Sequence, residues 1–599
     1  MPDVVFKKVD YTLKKLVEDI DIGEIGLPDI QRPFVWPSSK VRDLFDSMYR
    51  GYPIGYFLFW ENGFPGEHKV IGTGQKQKAP RLLIVDGQQR LASLYTVTKA
   101  VPIVSKDYRH ARIRIAFNPI KEGFEVTNPA IERDVEWIPD ISEIWKPEMS
   151  SYTFINKFFH RLGANREIAD EERTKIANSI TRLEKLLDYP LTALEISSSV
   201  DEDIVADIFV RINSKGTPLN QADFILTLMS VFWDDGRKQL EEFCRQAKKP
   251  PVDKHPSPYN HYLTPSPDQL LRPSVAFGFR RARLEYVYSL LRGKDLQTRQ
   301  FSVEQREKQF HILSKAQDCV LNLQNWHDFF KVLKRAGYQS GKLISSEMTI
   351  VYTYAMWLIG KIDYCVDPYY LREIMARWFF MVALTGRYTS SPEGRMEQDL
   401  ALLRGIDTAE GFVKILDQQI NAIFTRDYWE VTLPNELETA AARSTGQFAF
   451  YAALCLLDAN VLYSKMKVSE LLDPTIKSKK KALERHHLFP RRYLQKMGIR
   501  EERLIDQTAN YALVEWHDNI AISDKAPKDY VPQVEARFTG EELQKMYTMH
   551  ALPERWYEME YTTFLNERRK LMADIIRRGF MKLKENILSV SNAGDSYSI

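Results

Sequence analysis

Apolar residues recur along the chain with two periods, helical and alternating, and the balance between them shifts where the architecture is expected to shift. Near the N-terminus Val41, Leu44, Phe45 and Met48 fall at helical spacing, Ser38 or Ser39 suits the N-cap, and Gly51 stands past the end. This predicts a short helix. GYFLFW (55–60) and RLLIV (81–85) are apolar runs of strand length, ARIRIAF (111–117) alternates with a period of two, and PLTALEIS (190–197) reads as a further strand. Ile204, Val205, Ile208, Phe209 and Ile212 then share one helical face, and NSKGTPLNQ (213–221) turns the chain into another helix. The pattern predicts a small α/β domain closing near residue 235.

KKPPVDKHPSPYNHYLTPSP (248–267) interrupts the pattern as a linker or surface excursion, because its prolines cannot continue a helix and it offers little to bury. From about 270 to 470 the spacing is helical, as in Leu371, Ile374, Met375, Trp378, Phe379, Val382 and Ala383. Residues 477–530 change to short strands and turns, 541–585 return to helix, and ENILSVSNAGDSYSI (585–599) reads as a frayed polar tail. The expected blocks are 1–240, a Pro-rich 241–270, a helical 271–470, a compact 471–585 and a flexible 586–599. The fold class expected is α+β, multidomain and mostly helical.

Composition narrows this picture in three ways. A chain of 599 residues exceeds one ordinary core, and 44% hydrophobic, 12% aromatic and 27% charged residues mark a soluble globular protein. The net charge of +3, from 83 basic and 80 acidic residues, places any nucleic-acid surface in a local patch. Cys244, Cys319, Cys365 and Cys455 lack a C-x-x-C pair, which excludes a zinc ribbon or a disulfide framework and fits a reducing cytoplasm. MPDVVFKKVDYTLKKL has no apolar signal region, and no run of about eighteen apolar residues occurs, so no membrane segment is expected.

Two segments carry candidate chemistry. Asp86, Gly87, Gln88, Gln89 and Arg90 lie between the strand RLLIV and a helix bearing Leu91, Leu94 and Tyr95. A strand-to-helix turn of this kind aims backbone N–H groups and the positive helix end outward, where phosphate binds, and Arg90 offers a planar fork. The same residues suit a capping box between Asp86 and Gln89. Near the other end, His486-His487 is followed by Asn510 and Asn519, nine positions apart. Histidine suits a general base near neutral pH. Adjacent strand residues point to opposite faces, so both histidines serve one site only where the strand bends or ends. Lys477, Lys479, Lys480, Lys481, Arg485, Arg491 and Arg492 flank the doublet, as a solvated face or as phosphate contacts. Arg280, Arg281 and Arg283, and GRYTSSPEGR (386–395), stay open between phosphate contact and ordinary turn.

IVDGQQRLASL, with IQRPFVW (30–36) upstream and IFVRINSKGTPL (208–219) downstream, resembles the ParB/sulfiredoxin-like DGQQR domain of GmrSD-type restriction proteins. The resemblance implies an NTP pocket lined by Asp86, Gly87, Gln88, Gln89 and Arg90, with Gln31 and Arg32 nearby and Asn213 and Lys215 as weaker members; which nucleotide binds stays open. ALERHHLFP, TANYAL and DNIAISDKAP together resemble the HNH, or His-Me finger, nuclease pattern that accompanies such domains. It implies His487 as general base, Asn510 as the residue orienting it, and His486 and Asn519 as ligands of Mg²⁺ or Mn²⁺. Asn519 stands where many members carry histidine, which makes an H-N-N variant with His517 as a substitute ligand. Lys479, Lys480, Lys481, Arg491 and Arg492 are then expected to contact DNA. The implied activity is a cytoplasmic, nucleotide-regulated, modification-dependent DNA endonuclease acting against phage. The sensed mark stays open between a hydroxymethylated or glucosylated base and a phosphorothioate backbone. An RNA-cleaving growth-arrest toxin and a nucleotide-gated DNA-binding or interaction protein are the alternative readings, and a homodimer is compatible with the apolar faces of the middle helices.

Overall fold

The apolar runs near the N-terminus become a five-stranded mixed sheet. Strands β1 (Phe6–Thr12), β2 (Ile25–Gly26), β3 (Phe57–Glu61) and β4 (Leu82–Asp86) join β9 (Pro190–Ile196) in the order β1-β9-β3-β4-β2. The β1/β9 and β3/β4 pairs are antiparallel, and β9/β3 and β4/β2 are parallel. Two short hairpins lie in sequence between β4 and β9: β5 (Ile103–Val104) with β6 (His110–Ala111), and β7 (Ile115–Asn118) with β8 (Gly123–Val126). The structure, a computed structural model, describes residues 4–26, 36–61, 80–104, 110–200, 204–205, 208, 221–252, 255–295, 302–475, 484–515, 518, 520 and 522–594.

Both faces of the central strands are covered, which explains why β3 and β4 read as unbroken apolar runs rather than as alternation. Phe57, Phe59, Leu82 and Ile84 join Phe45, Leu91 and Leu94 in one core, while Leu58, Trp60 and Val85 pack with Ile196, Val200 and Val205 on the other side. The helix Ser38–Tyr49 forms as its spacing predicts, with Pro37 rather than a serine at the N-cap. The alternation of 111–117 does not make one strand. Pairing ends at Ala111 and resumes at Ile115, Arg112 and Arg114 form ion pairs with Asp140 and Glu132 between them, and Phe117 also bridges to Ile138. Local side-chain pairing thus displaces the ladder that alternation suggests.

The chain is mostly helical and divides into two compact units, Met1–Lys238 and Gln239–Ile599. In the second unit the helix Pro368–Thr385 is buried at every position from Leu371 to Leu384 except Arg372, as expected of a helix at the centre of a bundle. The Pro-rich stretch is a packed excursion rather than a linker. Tyr262 stacks on Phe330 at 5.1 Å, Trp326 Nε1 donates to Pro258 O at 2.9 Å, and Leu263 is buried. Its aromatics supply the burial that a count of prolines hides. The arginines left open at 280 and 281 pair with Asp363 and Glu397, and Arg387 of GRYTSSPEGR donates to Asp399 at 3.0 Å.

The last helix is described over Tyr561–Gly594, so its backbone enters the segment read as a frayed tail as far as Gly594. No glycine or proline interrupts residues 580–593. Pro527 begins the helix Pro527–Glu535, since proline is tolerated at the first helical position. Among the described residues no helix is long and apolar enough to cross a membrane.

Candidate functional site

The histidine doublet closes strand β10 (Glu484–His487), which pairs antiparallel with β11 (Tyr511–Val514), setting His486 opposite Ala512 and His487 opposite Tyr511. The pleat separates the two side chains. His486 is 3% exposed and meets the Tyr530 ring edge-on at 6.0 Å, whereas the His487 side chain is 22% exposed and lies 4.5 Å from the Tyr511 ring. Between the strands run the short helices Arg491–Lys496 and Glu502–Ile505 and a 3-10 turn, Thr508–Asn510.

Asn510 is completely buried and extends the ladder past the strand ends. Leu488 N donates to Asn510 O at 2.8 Å and Phe489 N to Asn510 Oδ1 at 2.9 Å, while Asn510 Nδ2 donates to Phe489 O at 3.1 Å and Ile505 O at 3.0 Å. These bonds hold the backbone that follows His487. The imidazole itself bonds to a residue the motif does not contain: Asp506 Oδ1 lies 2.8 Å from His487 Nε2. Asp506 Oδ2 accepts from Arg491 Nη2 at 2.6 Å, and Arg491 Nη1 donates to Glu502 at 3.1 Å. Burial pushes the Asp506 carboxyl up, but the hydrogen bonds from His487 and Arg491 outweigh it and hold the group below the ordinary carboxylate range.

A second residue absent from the motif braces the hairpin from the last helix. Arg568 has no exposed surface, and its Nη1 donates to Ala509 O at 2.7 Å and Tyr511 O at 2.9 Å, while Nε and Nη2 donate to His550 O. Burial lowers this guanidinium to about 10. Tyr530 OH adds a bond to Leu488 O at 2.8 Å. Nothing in the sequence near His487 points to Asp506 or Arg568; a buried charge can be found only once its surroundings are known.

The remaining expected residues are distributed unevenly. Asn519 and His517 lie outside the described residues, as do Lys477, Lys479, Lys480 and Lys481 and the Arg485 side chain. Arg491 is engaged by Asp506 and Glu502, and Arg492 is exposed. Among the described residues no three His, Cys, Asp or Glu side chains converge as a metal ion requires. His486 faces Tyr530 on the other side of the strand from His487, so the described residues do not make up a donor set.

In the first unit, the turn after β4 places Gly87, which has no side chain to offer as a cap, at φ +94° as the N-cap of the helix Gln88–Lys99. The capping box expected between Asp86 and Gln89 needs Asp86 at the N-cap, the position that Gly87 takes. A Cβ on Gly87 would come within 2.7 Å of Phe57 Cδ1, so glycine is required by contact as well as by φ. Gln88 Nε2 is buried with no hydrogen-bond partner among the described residues, which suits a ligand acceptor at the helix start. Arg90 turns inward. Its Nη1 donates to Ile54 O at 2.6 Å and Nη2 to Tyr56 O at 2.9 Å, with Asp86 Oδ2 at 3.4 Å, so the fork expected on phosphate fastens the 54–56 loop to the turn. Gln31, Arg32, Asn213 and Lys215 lie outside the described residues.

Residues 13–230 match the family model described as GmrSD restriction endonuclease, N-terminal domain. The matched segment contains β2, β3, β4, β9 and the Gly87 turn. An uncharacterized protein of Methanocaldococcus jannaschii is 22% identical over 562 residues, covering 87% of this chain and 86% of its own length. That similarity is long enough to include parts of both units.

Proposed function

We propose that the chain is a nucleotide-regulated, modification-dependent DNA endonuclease of the restriction type. The observation that carries this reading is the His487–Asp506 pair at the end of a hairpin clipped by Asn510, in a chain whose first unit matches a restriction endonuclease domain. An ionised carboxylate only accepts hydrogen bonds, so Nε2 of His487 carries the hydrogen and Nδ1 is the proton acceptor. Nδ1 takes a proton from water, the water oxygen bonds to phosphorus, and the bond to the leaving oxygen breaks, with a proton restored to that oxygen. Mg²⁺ or Mn²⁺ would supply charge stabilisation at the phosphate, with Asn519 as the proposed ligand, since His486 lies on the face of the strand away from His487.

In the first unit the helix start at Gly87, with Gln88 beside it, is the proposed seat of the NTP phosphates. That unit is proposed to sense modified phage DNA and to license cleavage by the second. Arg492 and the lysines at 479–481 are the proposed DNA contacts, whereas the ion pairs of Arg491 favour a role inside the site.

The test is cleavage of plasmid and phage DNA by the full chain with Mg²⁺ or Mn²⁺, comparing the wild type with His487→Ala. Cleavage by the wild type and its loss in the variant support the reading; equal cleavage by both removes His487 as base. RNA offered in parallel separates a growth-arrest ribonuclease from a DNA enzyme. Phages carrying hydroxymethylated, glucosylated or phosphorothioate DNA identify the mark. For the nucleotide pocket, Gln88→Ala should slow phosphate release from NTP, and an unchanged rate would take the turn out of the mechanism.

A further inference from the structure

The imidazole of His487 is held on two sides. Tyr511 lies beside its ring at 4.5 Å with a 42° tilt, and Asp506 bonds its Nε2 at 2.8 Å. Asp506 is held in turn by Arg491, whose second arm reaches Glu502, so imidazole, carboxylate and guanidinium form a connected line. Each member comes from a different local element. His487 ends β10, Arg491 opens the helix Arg491–Lys496, and Asp506 follows the helix Glu502–Ile505.

We propose that Asp506 is a positioning residue for hydrolysis, fixing His487 in the tautomer whose Nδ1 faces the reacting water, and that Arg491 holds Asp506 instead of contacting substrate phosphate. The proposal rests on the reading of His487 as the base. When Nδ1 takes the water's proton, the ring carries hydrogens on both nitrogens and one positive charge. Asp506 stabilises that charge across the existing Nε2–H bond and gains no proton itself. The proton leaves Nδ1 for the departing oxygen or for solvent, which restores the starting tautomer. Arg491 acts one step further out, keeping Asp506 in line with the ring.

The experiment measures kcat and KM for DNA cleavage by the full chain with Mn²⁺ or Mg²⁺, for the wild type, His487→Ala, Asp506→Asn, Asp506→Glu and Arg491→Gln, alongside thermal unfolding of each. Asparagine can donate to Nε2 and so draws the hydrogen onto Nδ1. Asp506→Asn should therefore lower kcat by about 10²–10⁴-fold with KM unchanged. Asp506→Glu should recover part of that loss, and Arg491→Gln should lower kcat by about tenfold without raising KM. Wild-type kcat in Asp506→Asn, with His487→Ala still inactive, overturns the positioning role and leaves the base intact. An active His487→Ala overturns the base and this proposal with it. A raised KM with unchanged kcat in Arg491→Gln makes that residue a phosphate contact. Selective ¹⁵N labelling of histidine in the wild type gives a readout free of any folding defect: His487 should carry its hydrogen on Nε2 at neutral pH, and an Nδ1–H tautomer overturns the proposal.

Discussion

Arg568 brings a guanidinium to a site with no exposure, where its donors end on the carbonyls of Ala509, Tyr511 and His550. Arg568→Met fills much of the volume but leaves those carbonyls buried without a donor. It should destabilise the second unit by about 3 kcal/mol, measured by urea unfolding, and abolish cleavage together with the hairpin. Gly87 is constrained differently: its φ of +94° and the 2.7 Å approach of Phe57 leave no room for a methyl group. Gly87→Ala should cost about 1–3 kcal/mol in the first unit. Arg90 shows how far a motif can be read. Its position beside the turn was legible in the sequence, but the direction of its fork was not, since Ile54 and Tyr56 become its acceptors only when β3 and β4 pair.

At the scale of elements, the runs that became β3, β4 and β9 were legible because both faces of a buried strand are apolar, and Ser38–Tyr49 because one face of its helix is. The stretch 111–117 was misread because Arg112 and Arg114 satisfy alternation while pairing with carboxylates rather than lying along a ladder. The hairpin of β10 and β11 was visible from its histidines and asparagine, but Asp506 sits 19 positions from His487 in a turn, where no periodicity marks it. Asn510 makes the hairpin an element rather than two strands, through its side-chain bonds to Phe489 and Ile505. Asn510→Ala should cost about 2–4 kcal/mol, since buried backbone groups lose their partners. Amide exchange of Phe489 should rise in that variant; unchanged protection would show that the ladder closes without the asparagine.

For the whole molecule, a net charge of +3 gives little long-range attraction to DNA, so binding should depend on a few local cations and weaken steeply with added salt. The second unit also carries a built-in sensitivity to acid. His550 is completely buried, donates from Nε2 to Asn460 O at 2.9 Å, and is lowered to about 4, mainly by burial and further by the charge of Arg568. The folded state therefore resists a proton that the unfolded chain accepts near 6.5. Its contribution is fully present above about pH 6.5 and is lost as pH falls toward 4, a change of about 3 kcal/mol. Urea midpoints taken between pH 7.5 and 5 should fall in the wild type and fall less in His550→Gln. The brace on the hairpin also sets an order of events during synthesis. Arg568 follows Tyr511 by 57 residues, so at about 5–20 residues per second a ribosome makes both strands of the hairpin roughly 3–11 s before the side chain that fastens them. The nascent chain therefore carries its histidines on an unbraced hairpin, and the two strands are fastened only after the last helix has emerged.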